Sequence, residues 1–394
     1  MLTKEEKKLF NQIDNKKEEV FNFLKNLVRT PSVTGNELSA QLIVERKFLE
    51  MGLKVKRVNP KYDAIVKSPE YKENRYAKIL KDKNRFNVIG QLNQEYKAKL
   101  LLFAHIDTWP ATKNNWIAKP FEGKIIGKKM YGRGAADDKF GITILTMALK
   151  IILDLNLSLK KNIILASTIG EEFGIGGLGY EGLFSCLASG FRSDLAISPH
   201  GKPFNSNPLL TVGCSGYLFF SEKNETIVLT KRQEINKHRL TIIRLQIQKY
   251  QIKKLKYSEP AIVPAESHRI LTFPTDKKWW QLNLLPFENR DKVSLLLKRY
   301  FPKTEIIPIM KPSLTDYNNS LINVLASALK EIYNKEPDFS IQNSGSDMRF
   351  ANEAGIPTVS FGPISGNSHN ANEWVDLSDL LNSLKAIILC ILRI

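Results

Sequence analysis

Cysteine is scarce in this chain. Cys186, Cys214 and Cys390 stand far apart among 394 residues. An odd, scattered set forms neither a disulfide framework nor a Cys-x-x-Cys site, and it suits a reducing compartment. Long apolar runs are also missing. The longest near the carboxyl end, Ala386 to Leu392, is too short to cross a bilayer. The opening Met-Leu-Thr-Lys-Glu-Glu-Lys-Lys is polar and charged, unlike a secretory signal. No low-complexity block interrupts the chain. A soluble, cytoplasmic protein is expected. Acids are in short supply, 40 against 58 Lys and Arg, which leaves a net charge of +18. One reading is a polyanion partner or an anionic substrate. The preferred reading is a solvated lysine-rich surface, because no RNA-binding aromatic motif, zinc finger or helix-turn-helix pattern accompanies the charge.

What is present begins with length, which is enough for a large core and two domains. An amphipathic helix is predicted over residues 3–29 and is broken by Pro31 to Gly35. A second helix spans about Glu37 to Met51 and ends at Gly52. Strands follow at 53–58, 87–91 and 99–104, with residues 60–86 read as a polar loop. Helix is expected from about Phe140 to Leu153, then strands at 162–167 and 194–198, with a Gly-rich bend from Gly174 to Gly179 between them. Strands alternating with helices indicate a mostly parallel α/β sheet flanked by helices.

Between about 212 and 308 the pattern changes. Residues 217–221, 226–229 and 279–285 read as strands and 290–300 as a helix. Leu240 to Tyr257 favours a strand or hairpin with one basic face, a helix remaining open. This stretch is expected to be an inserted α+β lid domain. The catalytic body would then be residues 1–211 and 309–394. From Leu314 the α/β pattern returns, with helices from Leu321 and from Leu377.

The chain is organised around residues 99–139. The apolar run Leu100 to Ala104 ends in His105 and Asp107, which face the same way in an extended chain. Further on, the turn Gly132-Arg133-Gly134 precedes the adjacent acids Asp137 and Asp138. Two such acids are costly unless a cation neutralises them. Imidazole and carboxylates in this arrangement are what a zinc site needs. Two more strands end in polar residues, Glu171/Glu172 and His200. In parallel sheets ligands collect at the carboxyl ends of strands, so these clusters are expected to converge.

These residues resemble the dinuclear zinc amidohydrolases and exopeptidases that include acetylornithine deacetylase, succinyl-diaminopimelate desuccinylase, aminoacylase, carboxypeptidase G2 and carnosinase. The resemblance covers roughly residues 10–208 and 310–394. It rests on Leu-Leu-Phe-Ala-His105-Ile-Asp107-Thr-Trp-Pro, on Trp116 with Pro120-Phe121-Glu-Gly, and on Tyr131-Gly-Arg-Gly-Ala-Ala-Asp137-Asp138-Lys. Gly170-Glu171-Glu172, Ser344-Gly-Ser-Asp-Met-Arg349-Phe and His369 complete it.

The resemblance implies a metal-dependent hydrolase that cleaves an amide of an N-acyl amino acid or small peptide. It implies two Zn²⁺ ions, with Co²⁺ or Mn²⁺ as substitutes. Asp137 would bridge the ions, His105 would bind one, and Glu172 with His369 the other. Asp107 would orient His105, and Glu171 would be the general base. The Asp137–Asp138 peptide is expected to be cis. Arg349 would clamp a substrate carboxylate, with Asn343, Ser344 and Gly345 as further contacts. A homodimer through the lid is a further expectation, as is the absence of membrane and nucleic-acid partners.

The sequence departs from the pattern twice. Where relatives carry an acid six residues after the Asp of the fifth strand, counting from Asp194 reaches His200, which would serve as the remaining ligand. The lid also lacks the His-Ser-Ser-x-Pro stretch of many relatives. Its candidates, His238 and His268, match nothing recognisable. Two other readings therefore stay open. One is a catalytically impaired relative that binds or regulates. The other is a nucleic-acid-associated protein using the basic lid around Lys253, Lys254 and Lys256.

Overall fold

The computed structural model describes residues 3–394 except 74–83, 93–95, 113–114, 173–178, 202–206, 250–254, 258–260, 266–276 and 317. Gly174 to Leu178 of the bend, together with Lys253, Lys254 and His268, lie outside the described residues.

Six strands form the central sheet. In spatial order they are Lys54–Val58, Asn87–Gln91, Asn162–Thr168, Lys99–His105, Leu195–Ile197 and Thr358–Val359. The first two pairings are antiparallel and the other three parallel. The middle strands are apolar because both faces are covered. Leu100, Leu102 and Ala104 point into one core, beneath helices Lys17–Arg29, Lys139–Asp154 and Leu377–Arg393. Leu101 and Phe103 point the other way, into a core with Tyr180, Leu183, Met348 and Phe350. This alternation follows from the two-residue period of a strand.

Residues 3–29 form two helices, Lys4–Asn15 and Lys17–Arg29, where one was expected. Lys16 leaves helical geometry at φ −93° and ψ 5°. The break lets the first helix bury Leu9 and Ile13 while the second turns Val20, Phe23, Leu24 and Leu27 inward. The predicted 60–86 loop contains two short helices, Tyr62–Ile65 and Pro69–Glu73.

A second antiparallel sheet has the order Ile262–Pro264, Trp279–Leu284, Gly216–Ser221, Ile306–Met310. It has its own core of Leu218, Phe220, Trp280, Leu282, Val293 and Leu297. Here the expected strand at 226–229 and the favoured strand or hairpin from 240 are overturned. Glu225–Lys249 is one helix. Its β-branched Thr and Ile residues imitate a strand, yet Val228, Ile235, Arg239 and Ile243 are the buried positions, on a helical spacing.

Candidate active site

The register of the central sheet builds the site. His105, the last residue of its strand, is paired with Thr168, so the turn bearing Glu171 and Glu172 starts beside it. Asp107 stitches the two together. Its carboxylate accepts from Thr34 Oγ1 at 2.7 Å and from the backbone N–H groups of Glu171 and Glu172 at 3.2 and 3.1 Å. His105 Nδ1 lies 3.1 Å from the carbonyl oxygen of Asp107 and 3.6 Å from its carboxylate. Both the carbonyl and the carboxylate of Asp107 thus face this nitrogen.

The other nitrogen of His105, Nε2, lies 3.1 Å from Asp137 Oδ1. Asp137 Oδ2 lies 3.3 Å from His369 Nε2, and the same nitrogen is 2.9 Å from Glu172 Oε2. Asp137 therefore stands between two imidazoles. Glu171 Oε2 is 3.9 Å from His105 Nε2. The Asp137–Asp138 peptide is cis. His369 is held in left-handed geometry, φ 65°, and stacks on Trp109 with ring centroids 4.7 Å apart.

These groups line one cavity of about 180 Å³. Asp138, His200, Tyr217, Met310, Ser344, Gly345 and Asp347 are also part of its wall. Sequence reasoning gives Asp347 no role and misses Trp109, Tyr217 and Met310. Asp347 belongs to the Ser344–Arg349 motif, which is its one available signal. His200 reaches the cavity wall but lies outside the tight group of His105, Asp137 and Glu172, whose ligand atoms are all within 4.8 Å of one another.

Arg349, expected to clamp a substrate carboxylate, is paired within the protein. It is 3% exposed and is not among the cavity-lining residues. Its Nη1 is 2.5 Å from Glu70 Oε2, and its guanidinium lies over the Phe350 ring at 3.9 Å. Glu70 also accepts from Tyr180 Oη at 3.0 Å and from the Lys311 N–H at 2.7 Å. A buried guanidinium requires a carboxylate, and a residue from the supposed 60–86 loop supplies it. Asn343 is not among the cavity-lining residues either, and its carbonyl and side-chain oxygens accept from Asn283 Nδ2 at 3.0 Å.

The electrostatics are those of crowded acids. Burial pushes the Glu171 carboxyl well above the ordinary range, and Glu172, Asp347 and Asp137 reinforce it while His105 opposes. Burial likewise raises Asp138 well above it, with Asp137 and Glu172 adding to the effect. Asp137 goes the other way: burial opposes its charge, but His105 and His369 hold it well below the usual value. Burial lowers His200 against the pull of Asp137, which favours the neutral imidazole, the form that ligates metals. Asp137, Asp138, Glu171, Glu172 and Asp347 share one cavity, and like charges at such range disfavour ionisation unless a cation is present. Imidazole nitrogen and carboxylate oxygen are the donors that Zn²⁺ accepts. The residues fit a divalent cation.

Residues 101–393 match the model of Peptidase family M20/M25/M40. The chain belongs to this family. It is an enzyme, and its reaction is metal-dependent hydrolysis of an amide bond. Among curated relatives, N-formyl-4-amino-5-aminomethyl-2-methylpyrimidine deformylase of Halalkalibacterium halodurans is 21% identical, over 96% of this chain and 95% of the relative. Succinyl-diaminopimelate desuccinylase of Blochmanniella floridana is 21% identical over 90% and 93%. Among solved structures, human carnosine dipeptidase 1 aligns over 98% of each chain with a TM-score of 0.70 at 16% identity, a likeness of fold. The chain has no helix long and apolar enough to cross a membrane among the described residues.

Proposed function

We propose that this M20 enzyme hydrolyses a small N-acyl amino acid, N-acyl amine or dipeptide at a centre of two zinc ions. One observation carries the reading: His105, Asp137, Glu172 and His369 meet within hydrogen-bonding range, with Glu171 beside them. Asp137 would be shared, His105 and His200 would serve one side of it, and Glu172 and His369 the other. Bound there, the ions would supply Lewis-acid stabilisation at a carbonyl oxygen and a water of lowered pKa. Glu171 takes the proton of the attacking water and delivers it to the departing nitrogen. Its place beside the group, 3.9 Å from His105 Nε2, suits that task. The carboxylate of Asp107 anchors the Glu171–Glu172 turn, and its carbonyl orients His105.

A second reading of the substrate is favoured by one contact. Arg349, the residue expected to clamp a substrate carboxylate, is engaged by Glu70. That favours an amide without a carboxylate, such as the formamide of an aminomethylpyrimidine for which the H. halodurans relative is named. The homodimer reading is supported by Leu245 and Leu295, 62% and 67% exposed on helices Glu225–Lys249 and Arg290–Tyr300, which pack on the second sheet as the second layer. Three free, buried cysteines support a reducing, cytoplasmic setting.

The test is metal content by elemental analysis of wild type and His200→Ala, followed by a panel of a formamide, an N-succinyl amino acid and a dipeptide. Near two equivalents in wild type, reduced in the variant, with turnover of one class, is the expected result. No metal after incubation with Zn²⁺ would overturn the two-zinc centre, and metal without turnover of any of the three would overturn the substrate reading.

A further inference from the structure

Beneath the candidate centre lies an ion pair that the chemistry above does not use. Arg133 and Glu373 have side chains 1% and 0% exposed and are joined through Arg133 Nη1 and Glu373 Oε2. Both belong to motifs visible in the sequence, the Gly-Arg-Gly turn before Asp137 and the stretch after His369.

The other bonds of the pair all run to loops that carry candidate ligands. Glu373 Oε1 accepts from the Ala136 N–H at 2.8 Å, next to Asp137. The Glu373 carboxylate also accepts from the Gly134 N–H. Its carbonyl accepts from the Gly132 N–H at 2.9 Å. Arg133 Nη2 donates to the Pro110 carbonyl at 3.2 Å, on the segment that leaves His105 and Asp107. The Arg133 N–H donates to the Pro120 carbonyl at 2.7 Å. Gly134, at φ 83°, makes the turn possible: a Cβ there would come within 2.7 Å of Thr108 Cγ2. Three loops, after His105, before Asp137 and after His369, thus share one buried knot.

We propose that the Arg133–Glu373 pair is a positioning device that sets the spacing of the loops bearing His105, Asp137 and His369. A fork-shaped cation can hold a carboxylate and a carbonyl on separate segments at once, which a point charge cannot. A carboxylate that takes two backbone N–H groups of one turn fixes that turn against its own segment. The pair touches no ligand atom; it acts through the main chain.

The inference rests on the metal-site reading proposed above. Its test uses the full chain, freed of metal and titrated with Co²⁺, whose visible absorption reports ligand geometry. Three variants are compared: Glu373→Gln, Arg133→Lys and Glu288→Gln. The last breaks the equally buried Arg239–Glu288 pair, which lies in the second layer. Glu373→Gln is expected to weaken Co²⁺ binding roughly tenfold to a hundredfold and to change the absorption band. Arg133→Lys, which keeps the charge but loses the fork, should move both readouts in the same direction, and it stands in if Glu373→Gln does not fold. Glu288→Gln should lower the melting temperature of the metal-free protein while leaving affinity and band unchanged. Unchanged affinity and band in both Glu373→Gln and Arg133→Lys, with only the melting temperature lowered, would overturn the inference. A wild type that takes up no Co²⁺ would overturn the metal reading itself, a distinguishable result.

Discussion

Glu171 and Glu172 are chain neighbours with different surroundings. Glu172 faces His369 at 2.9 Å, whereas the nearest imidazole to Glu171 is 3.9 Å away. One is placed to ligate and the other to carry a proton. Glu171→Gln is therefore expected to lower kcat about 10²- to 10⁴-fold with metal content unchanged. Loss of metal in that variant would instead make Glu171 a ligand. Glu70 matters for a different reason. Glu70→Gln leaves Arg349 buried without its counter-charge and should cost about 3–5 kcal/mol in urea denaturation. A variant as stable as wild type would mean that Arg349 finds another acceptor. At this scale the sequence was most legible where function concentrates: His105, Asp137, Glu171, Glu172 and His369 stand in short motifs, and the structure brings them together. Glu70 could not be foreseen. Its partner is 279 positions away, and nothing local marks the pairing.

Among elements, the start of helix Leu38–Glu50, the approach to strand Asn87–Gln91 and the turn Tyr180–Phe184 are joined by one guanidinium. Arg85 contacts Glu37 at 2.6 Å and Glu181 at 2.7 Å. Two carboxylates share a single positive charge. Burial pushes Glu181 up to about 7, Glu37 adds to the shift and Arg85 opposes it. The folded state therefore holds this proton more tightly than the unfolded state does. The stabilisation is complete below the ordinary value of 4.5 and is lost as pH rises through about 7. Melting temperatures of the metal-free protein across that window should fall in wild type and fall less in Glu181→Gln. Parallel profiles would sink this account. Elements of the central sheet were legible because buried strands and amphipathic helices follow their periods. Helix Glu225–Lys249 was not, since its β-branched residues look like a strand and its buried face includes Arg239, a charge made tolerable by the distant Glu288 carboxylate and Asn283 carbonyl.

The whole molecule presents Leu245 and Leu295 on the outside of the second layer. If that face joins two copies, changing both residues to Asp should convert a dimer to a monomer in light scattering while amide turnover per chain is read alongside. A wild type that is monomeric at all concentrations would end the dimer proposal. The net charge of +18 was visible from composition alone, but its meaning was not, because composition does not say where charges lie. One further property follows from the order of the parts. The central sheet takes its last strand from Thr358–Val359, the ligand set takes His369, and helix Leu377–Arg393 roofs the strand that carries His105. A ribosome delivers all three after the strands and acids that they complete. The growing chain therefore carries His105, Asp137, Glu171 and Glu172 without a finished centre until these later parts have been made.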